Sequence, residues 1–419
     1  MAKGASALPG FRDFYPEEFA ARAHIQSTWR EVARRFGFVE YDGPPLEPLE
    51  LYTKKSGDEI VGQLYNFKDK GNRDVALRPE MTPTFARMVG ARANALPKPV
   101  RWFSIPQLFR YERQQKGRLK EHFQLNVDIV GESDVSADAE LLAVAVECMV
   151  ALGLSAADVK ARVSDRRLLM AILKSIGVAD DKAPEVFGVV DKLDRQPREV
   201  SLEKLRDAGV AAGAAERLVG LKDLHSIEAI GGAFPDAVVS ARLDDLRRYL
   251  GYVGALQFAD WVVVDLTIVR GLAYYTGIVF ELFDAQGEFR AICGGGRYDT
   301  LLASLGGVDL PALGFGMGDV VLGDILKERG KLPSIARTLD YWIAYEDPSA
   351  LGSALQVATT LRRAGKAVEY SLHHVQLGKQ LKAAASATAA RVIILRQDGK
   401  AVVKDLVTGD EKPFTFADG

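Results

Sequence analysis

The chain has 419 residues, 48% hydrophobic and 26% charged, with 54 basic against 56 acidic side chains and a formal net charge of -2. That length suggests roughly two to three domains with enough apolar material to bury a core in each. The even charge balance excludes a globally basic nucleic-acid binder but leaves room for a local basic surface, because a phosphate backbone responds to clustered charge.

Cys148 and Cys293 stand far apart and form no CxxC, which argues against a disulfide framework and a zinc site and for a cytosolic, cytoplasmic chain. Met1 to Pro9 lacks an apolar stretch, so no signal peptide is expected. No apolar run reaches membrane-spanning length. No two of the five histidines have ligand spacing on an expected helix, and His373-His374 reads as a solvated turn, so no protein-held metal is expected.

In chain order, Ile25, Thr28, Trp29, Val32, Ala33 and Phe36 recur at helical spacing and predict a helix from about Pro16 to Phe36, ended by Gly37. A strand over Phe38 to Tyr41 follows and stops at Asp42-Gly43-Pro44-Pro45. Arg78-Pro79-Glu80-Met81-Thr82-Pro83 reads as a loop entering a helix. Val100 to Val130 reads as two strands joined by a basic loop over Gln114 to Lys120. The second strand alternates, with Phe123, Leu125, Val127 and Ile129 on one face and His122, Gln124, Asn126 and Asp128 on the other. From about Arg167 to Tyr252 the pattern is helical, reads as an inserted domain, and offers no chemistry.

Strands are then expected at Trp261 to Asp265, Ile278 to Phe283 and Phe289 to Cys293, the last two joined by a turn at Asp284 to Gly287. Gly314 to Asp319 opens an apolar helix over Val320 to Leu326. Past Pro333, strands at Tyr341 to Tyr345, Ala367 to Tyr370, Arg391 to Leu395 and Ala401 to Asp405 alternate with helices at Ala350 to Ala364 and Gln376 to Ala385. That alternation predicts a small α/β domain with a mostly parallel sheet.

Phe109-Arg110-Tyr111-Glu112 admits two readings: an arginine that holds a phosphate bidentately, or a surface Arg-Glu pair. The polar face of the next strand, with Gln124 and Asp128, favours a site, because such groups beside an arginine make a poor core. Glu80 and Thr82 could receive an ammonium group, or could simply suit a helix N-terminus. Arg270 with Tyr274 and Tyr275 reads as a binding cluster or as packed aromatics at a hairpin. Gly294 to Gly296 and Gly314 to Gly318 would leave floor space for a flat ligand, yet each stretch alone reads as ordinary turn glycine. The second lacks the distal acidic residue and βαβ setting of a dinucleotide fingerprint.

Taken together and in order, these segments resemble the histidyl-tRNA synthetases, a family of class II aminoacyl-tRNA synthetases, along essentially the whole chain. The helix and strand before Pro44 look like class II motif 1, and Phe109 to Val130 looks like motif 2. Arg270-Gly271-Leu272-Ala273-Tyr274-Tyr275 and Gly294-Gly295-Gly296-Arg297-Tyr298-Asp299 look like the two histidine-specific signatures.

The resemblance implies an α+β fold: a class II catalytic domain with an antiparallel sheet over 1–330, a helical insertion at about 167–252, and a C-terminal α/β anticodon-binding domain over 334–419. It implies ATP with Mg²⁺, L-histidine and tRNA(His) as substrates, and a homodimer with no membrane association.

Carried over residue by residue, Arg110 would hold the α-phosphate, Glu112 would meet the adenine, Arg118 the triphosphate, and His122 would lie on the adenine ring. Glu80, Thr82 and Gln124 would hold the amino acid, and Asp128 and Tyr275, with Tyr274 beside them, would form the imidazole pocket. Arg270 would bridge the histidine carboxylate and the α-phosphate, making it catalytic together with Arg110.

Two departures stand out. Val321 occupies the place of the usual motif 3 arginine, and Ala273 replaces an aspartate. Both resemble plant-organelle and cyanobacterial-type members, with Arg118 or another residue compensating. The competing reading within the family is a histidine-binding regulatory subunit of ATP phosphoribosyltransferase, which the missing cation favours. The C-terminal domain and the Arg110 motif with its basic loop argue against it. A tRNA-binding scaffold with a dead site would predict RNA binding without ATP turnover.

Overall fold

The computed structural model describes residues 6–53, 62–111, 117, 119–269, 275–333 and 339–415. These fall into two compact units, Met1–Pro333 and Ser334–Gly419.

The first helix, Pro16–Arg35, starts on a proline, carries Glu17 and Glu18 in its first turn and Arg34 and Arg35 in its last, and so agrees with its own dipole. It buries Ile25, Trp29, Val32 and Ala33. Gly37 leaves it at φ 76°, which a side chain would resist. The following strand β1 is only Val39–Glu40, shorter than expected, because the chain turns away at Asp42.

Unit one adds β2 (Leu46–Pro48), β3 (Tyr65–Lys68), β4 (Asp74–Leu77), β5 (Val100–Ser104), β6 (Gln107–Phe109), β7 (Glu121–Val130), β8 (Val159–Asp165), β9 (Val262–Val264), β10 (Ile278–Asp284), β11 (Cys293–Arg297) and β12 (Ala312–Gly318). β2, β4 and β3 make a small antiparallel sheet. The large sheet runs β1-β5-β7-β12-β11-β10-β8-β9, with β6 pairing the start of β7 beyond β5. Only the end pairs, β1 with β5 and β8 with β9, are parallel.

Two expectations are corrected here. Both glycine runs lie inside central strands, β11 and β12, and not in turns. Local propensity disfavours glycine in strands, but here neighbouring side chains need the room. The strand expected at Phe289 to Cys293 is displaced: the ladder begins at Cys293, and Phe289 to Ile292 run up to it as a connecting strap.

One face of the large sheet packs on helix Val135–Ala151, which buries twelve side chains and is capped by the Asp134 carboxylate on Ser136 N–H. The helices between Arg166 and Ala255 share that core, where Leu168, Leu218 and Leu246 join Val163 and Phe280.

Unit two holds β13 (Leu339–Tyr345), β14 (Val368–Tyr370), β15 (Ala389–Leu395), β16 (Ala401–Asp405) and β17 (Glu411–Pro413). Their order is β14-β13-β15-β16-β17. The sheet is half parallel, not mostly so: β16 and β17 fold back as a meander after the turn glycines Gly399 and Gly409. Among the described residues no helix is long and apolar enough to cross a membrane.

Candidate active site

β7 carries the polar row His122, Gln124, Asn126 and Asp128 along one face. At about 3.3 Å per residue the row spans roughly 20 Å. Its partner β12 is antiparallel, with Gly314 opposite Asp128 and Gly316 opposite Asn126. A Cβ on Gly314 would collide with the Asp128 carboxylate, and one on Gly316 would come within 2.8 Å of the Gln124 amide. The glycines are therefore the recess into which the polar row folds.

Above the row lies a cavity of about 860 Å³. Arg110, His122 and Gln124 line it on one side and Gly294, Gly316, Gly318 and Val321 on the floor. Arg110 is aimed by two bonds: its backbone N–H donates to Lys120 O at 2.9 Å and its Nε to Pro79 O at 2.9 Å. That second bond ties it to the loop carrying Glu80. The loop is held from behind by Arg78, buried, whose guanidinium reaches Asp42 and Gly43 O, each at 2.7 Å.

Glu80 is buried, and burial pushes its carboxyl up, with the Arg110 charge pulling it back. Thr82 opens helix Thr82–Arg92 and is half-buried. His122 is driven down to about 3 by burial, with Arg110 and Arg12 adding like-charge repulsion. Its ring is a neutral, flat surface at any working pH.

Asp128 is buried, and burial raises it to about 7 while the hydroxyl of Tyr298, donating to it, works the other way. Tyr298 also meets Tyr275 edge-on, ring centroids 6.5 Å apart. Among the described residues the buried Tyr41 hydroxyl has no hydrogen-bond partner, and burial, then the Asp128 charge, raise it.

The expected residues thus form two groups. Arg110, His122 and Gln124 line the cavity, while Glu80, Thr82, Asp128 and Tyr275 lie outside its lining. Glu112, Arg118, Arg270 and Tyr274 lie outside the described residues.

Sequence reasoning passed over Tyr298, although it belongs to a segment already singled out. Arg297 stands at the end of β11, is buried, and is bonded to Asp138 at 2.6 Å. The adjacent Tyr298 hydroxyl instead reaches Asp128. Nor did the helical stretch promise chemistry, yet Asp191, Asp194 and Arg195 line the cavity, with Arg162 held between Asp194 and Asp265.

Asp319, at the start of helix Asp319–Glu328, accepts Phe123 N–H at 2.9 Å and Arg12 at 3.0 Å, so its place beside β7 is structural. Among the described residues no group of three or more His, Cys, Asp or Glu is arranged to hold a metal ion.

The family model described as Histidyl-tRNA synthetase matches residues 10–318. A "Histidine--tRNA ligase" of Opitutus terrae is 45% identical over 97% of this chain and 94% of its own length. The chloroplastic/mitochondrial "Histidine--tRNA ligase" of Arabidopsis thaliana is 39% identical over 98% and 85%. In fold, the chain is similar to a crystal structure of histidyl-tRNA synthetase from Nostoc sp. PCC 7120, with TM-score 0.82 and 22% identity over 98% of this chain and 96% of that one. A glycine-floored cavity beside Arg110, a family match over residues 10–318, and near full-length relatives converge on one assignment: the chain belongs to the histidyl-tRNA synthetase family.

Proposed function

We propose that the chain is a histidine–tRNA ligase, activating L-histidine with ATP to histidyl-adenylate and passing the histidyl group to tRNA(His). The observation that carries this reading is the polar row on β7. Beside the Arg110 cation it runs from a neutral flat ring, His122, to a buried carboxyl, Asp128, over a floor kept clear by glycines.

ATP lies on the cavity end, its adenine against His122 and Glu112, its α-phosphate on Arg110, its outer phosphates towards Arg118. Histidine occupies the other end. Glu80, Thr82 and Gln124 take its ammonium and backbone, and Asp128 and Tyr275, beside Tyr274, take the two imidazole nitrogens. A site that satisfies both nitrogens rejects side chains lacking them.

One carboxylate oxygen of histidine attacks the α-phosphorus in line. The new O–P bond forms as the bond to the bridging oxygen breaks, and pyrophosphate leaves. A terminal ribose hydroxyl of the tRNA then attacks the acyl carbon and AMP leaves. Arg110 and Arg270 hold the negative charge that develops, so catalysis is positioning and electrostatics without a protein nucleophile. Mg²⁺ entering with ATP would neutralise charge on its phosphates. Glu281, a carboxylate on the cavity wall, is an oxygen donor of the type it takes. The C-terminal unit binds the anticodon in this reading, and the protein works in the cytosol as a homodimer.

Histidine-dependent exchange of labelled pyrophosphate into ATP tests the proposal, with the other amino acids as controls. Exchange with histidine alone is expected. No exchange, together with histidine binding by calorimetry, would instead favour the phosphoribosyltransferase regulatory type, the reading that Val321 supports.

A further inference from the structure

The segment between β10 and β11 forms one wall of the cavity, with Phe289, Arg290, Ala291 and Ile292 along it. Both ends of this strap are pinned. The Asp284 carboxylate accepts the backbone N–H groups of Gln286 at 3.3 Å and Glu288 at 2.9 Å, and the Arg329 guanidinium at 3.2 Å. Ile292 donates to Leu282 O at 2.8 Å and accepts from Gly318 N–H at 3.2 Å. The backbone under Arg290 is therefore fixed before a ligand arrives.

Gly117 of the basic loop packs against this wall at φ +77°. A Cβ built on it would stand 3.2 Å from Val321 Cγ2 and 3.9 Å from Arg290 Cδ. The arginine stem and the valine thus flank one point of the cavity. Arg110, Arg162 and Arg195 line the cavity as well, Arg162 shared by Asp194 and Asp265, each at 3.4 Å, and Arg110 donating its Nε to Pro79 O.

We propose that Arg290 binds the β- and γ-phosphates of ATP, supplying from the strap the cation that helix Asp319–Glu328 lacks at Val321. This rests on the histidine-activating reading above. A guanidinium keeps its charge at any working pH and offers paired N–H donors to phosphate oxygens. A pinned strap presents it without reorganisation when charge moves onto the departing pyrophosphate.

Pyrophosphate exchange by the full-length chain tests this. Arg290→Ala is expected to raise the KM for ATP and for pyrophosphate by at least about tenfold while the KM for histidine shifts less than about twofold, with Arg290→Lys between. Adding Val321→Arg to Arg290→Ala is expected to restore ATP affinity, a rescue that a merely structural role would not show. An unchanged ATP KM in both Arg290→Ala and Arg290→Glu overturns the proposal, as do equal losses of ATP and histidine affinity. Should the wild type show no histidine-dependent exchange, the functional reading fails instead, and calorimetric ATP binding by wild type against Arg290→Ala still decides the phosphate assignment.

Discussion

Asp128 is 4% exposed, with the Tyr298 hydroxyl donating to it. Its carboxyl is raised to about 7, chiefly by burial, so the folded state holds that proton more tightly than the unfolded chain does. The sign follows. The contribution to stability is complete below the ordinary aspartate range near pH 4 and is given up as pH climbs through 7. A gap of about three units corresponds to no more than roughly 4 kcal/mol. Asp138, raised to about 6 by burial with Arg297 opposing, has the same sign, so total stability would not isolate Asp128. The difference between wild type and Asp128→Asn does. The wild-type melting temperature, without ligands, is expected to fall a few degrees further between pH 5 and pH 8 than that of the variant. Identical slopes would mean Asp128 is ionised at little cost. In the proposed function, a carboxyl poised near neutrality would accept from an imidazole N–H once ionised.

At the scale of elements, β11 and β12 show why glycine stands where strand propensity disfavours it. In β12 the Asp128 carboxylate and the Gln124 amide of β7 occupy the space that Cβ atoms on Gly314 and Gly316 would fill, while in β11 Gly295 and Gly296 make room for Phe315 of β12 and Val279 of β10. Arg297 then locks β11 to the start of helix Val135–Ala151. It bonds Asp138, Glu132 O at 2.9 Å and Asp134 O at 3.3 Å, joining segments more than 150 residues apart in sequence. Both members of the ion pair are buried. Removing one leaves the other uncompensated, so Arg297→Ala is expected to cost about 3–5 kcal/mol. Urea unfolding followed by circular dichroism measures this, and a loss below about 1 kcal/mol would show that water replaces the guanidinium. Helix Asp319–Glu328 is fastened similarly, through Asp319 to β7 and Arg12, which leaves its next turn to present Val321 to the cavity.

For the whole molecule, the outer edge of the large sheet is β1, short and with Val39 62% exposed; Phe19 and Tyr15 of the first helix are exposed as well. Val39 on this edge strand and the exposed rings at the start of the first helix are apolar surface of the kind a partner covers. The proposed homodimer predicts sedimentation at twice the mass of the 45.7 kDa chain at micromolar concentration. A monomer under those conditions would remove the dimer from the functional reading.

The amino-acid sequence by itself determined the long first helix and the alternation on β7. Each is written in local periodicity or in a short run of residues whose meaning does not depend on distant neighbours. The family resemblance was legible for the same reason. Tertiary structure decided what periodicity cannot express. The glycine runs lie in strands because side chains of neighbouring strands, Asp128 and Gln124 of β7 against β12 and Phe315 and Val279 against β11, need the room, and the sheet of unit two is half parallel because its last strands turn back at Gly399 and Gly409. The partner of Asp128 is Tyr298, 170 residues away, and the helical stretch reaches the cavity with Asp191, Asp194 and Arg195. Arg290 gained its meaning only from the position of Gly117 and Val321 beside it. Packing brings such residues together across the chain, and no local pattern records which of them will meet.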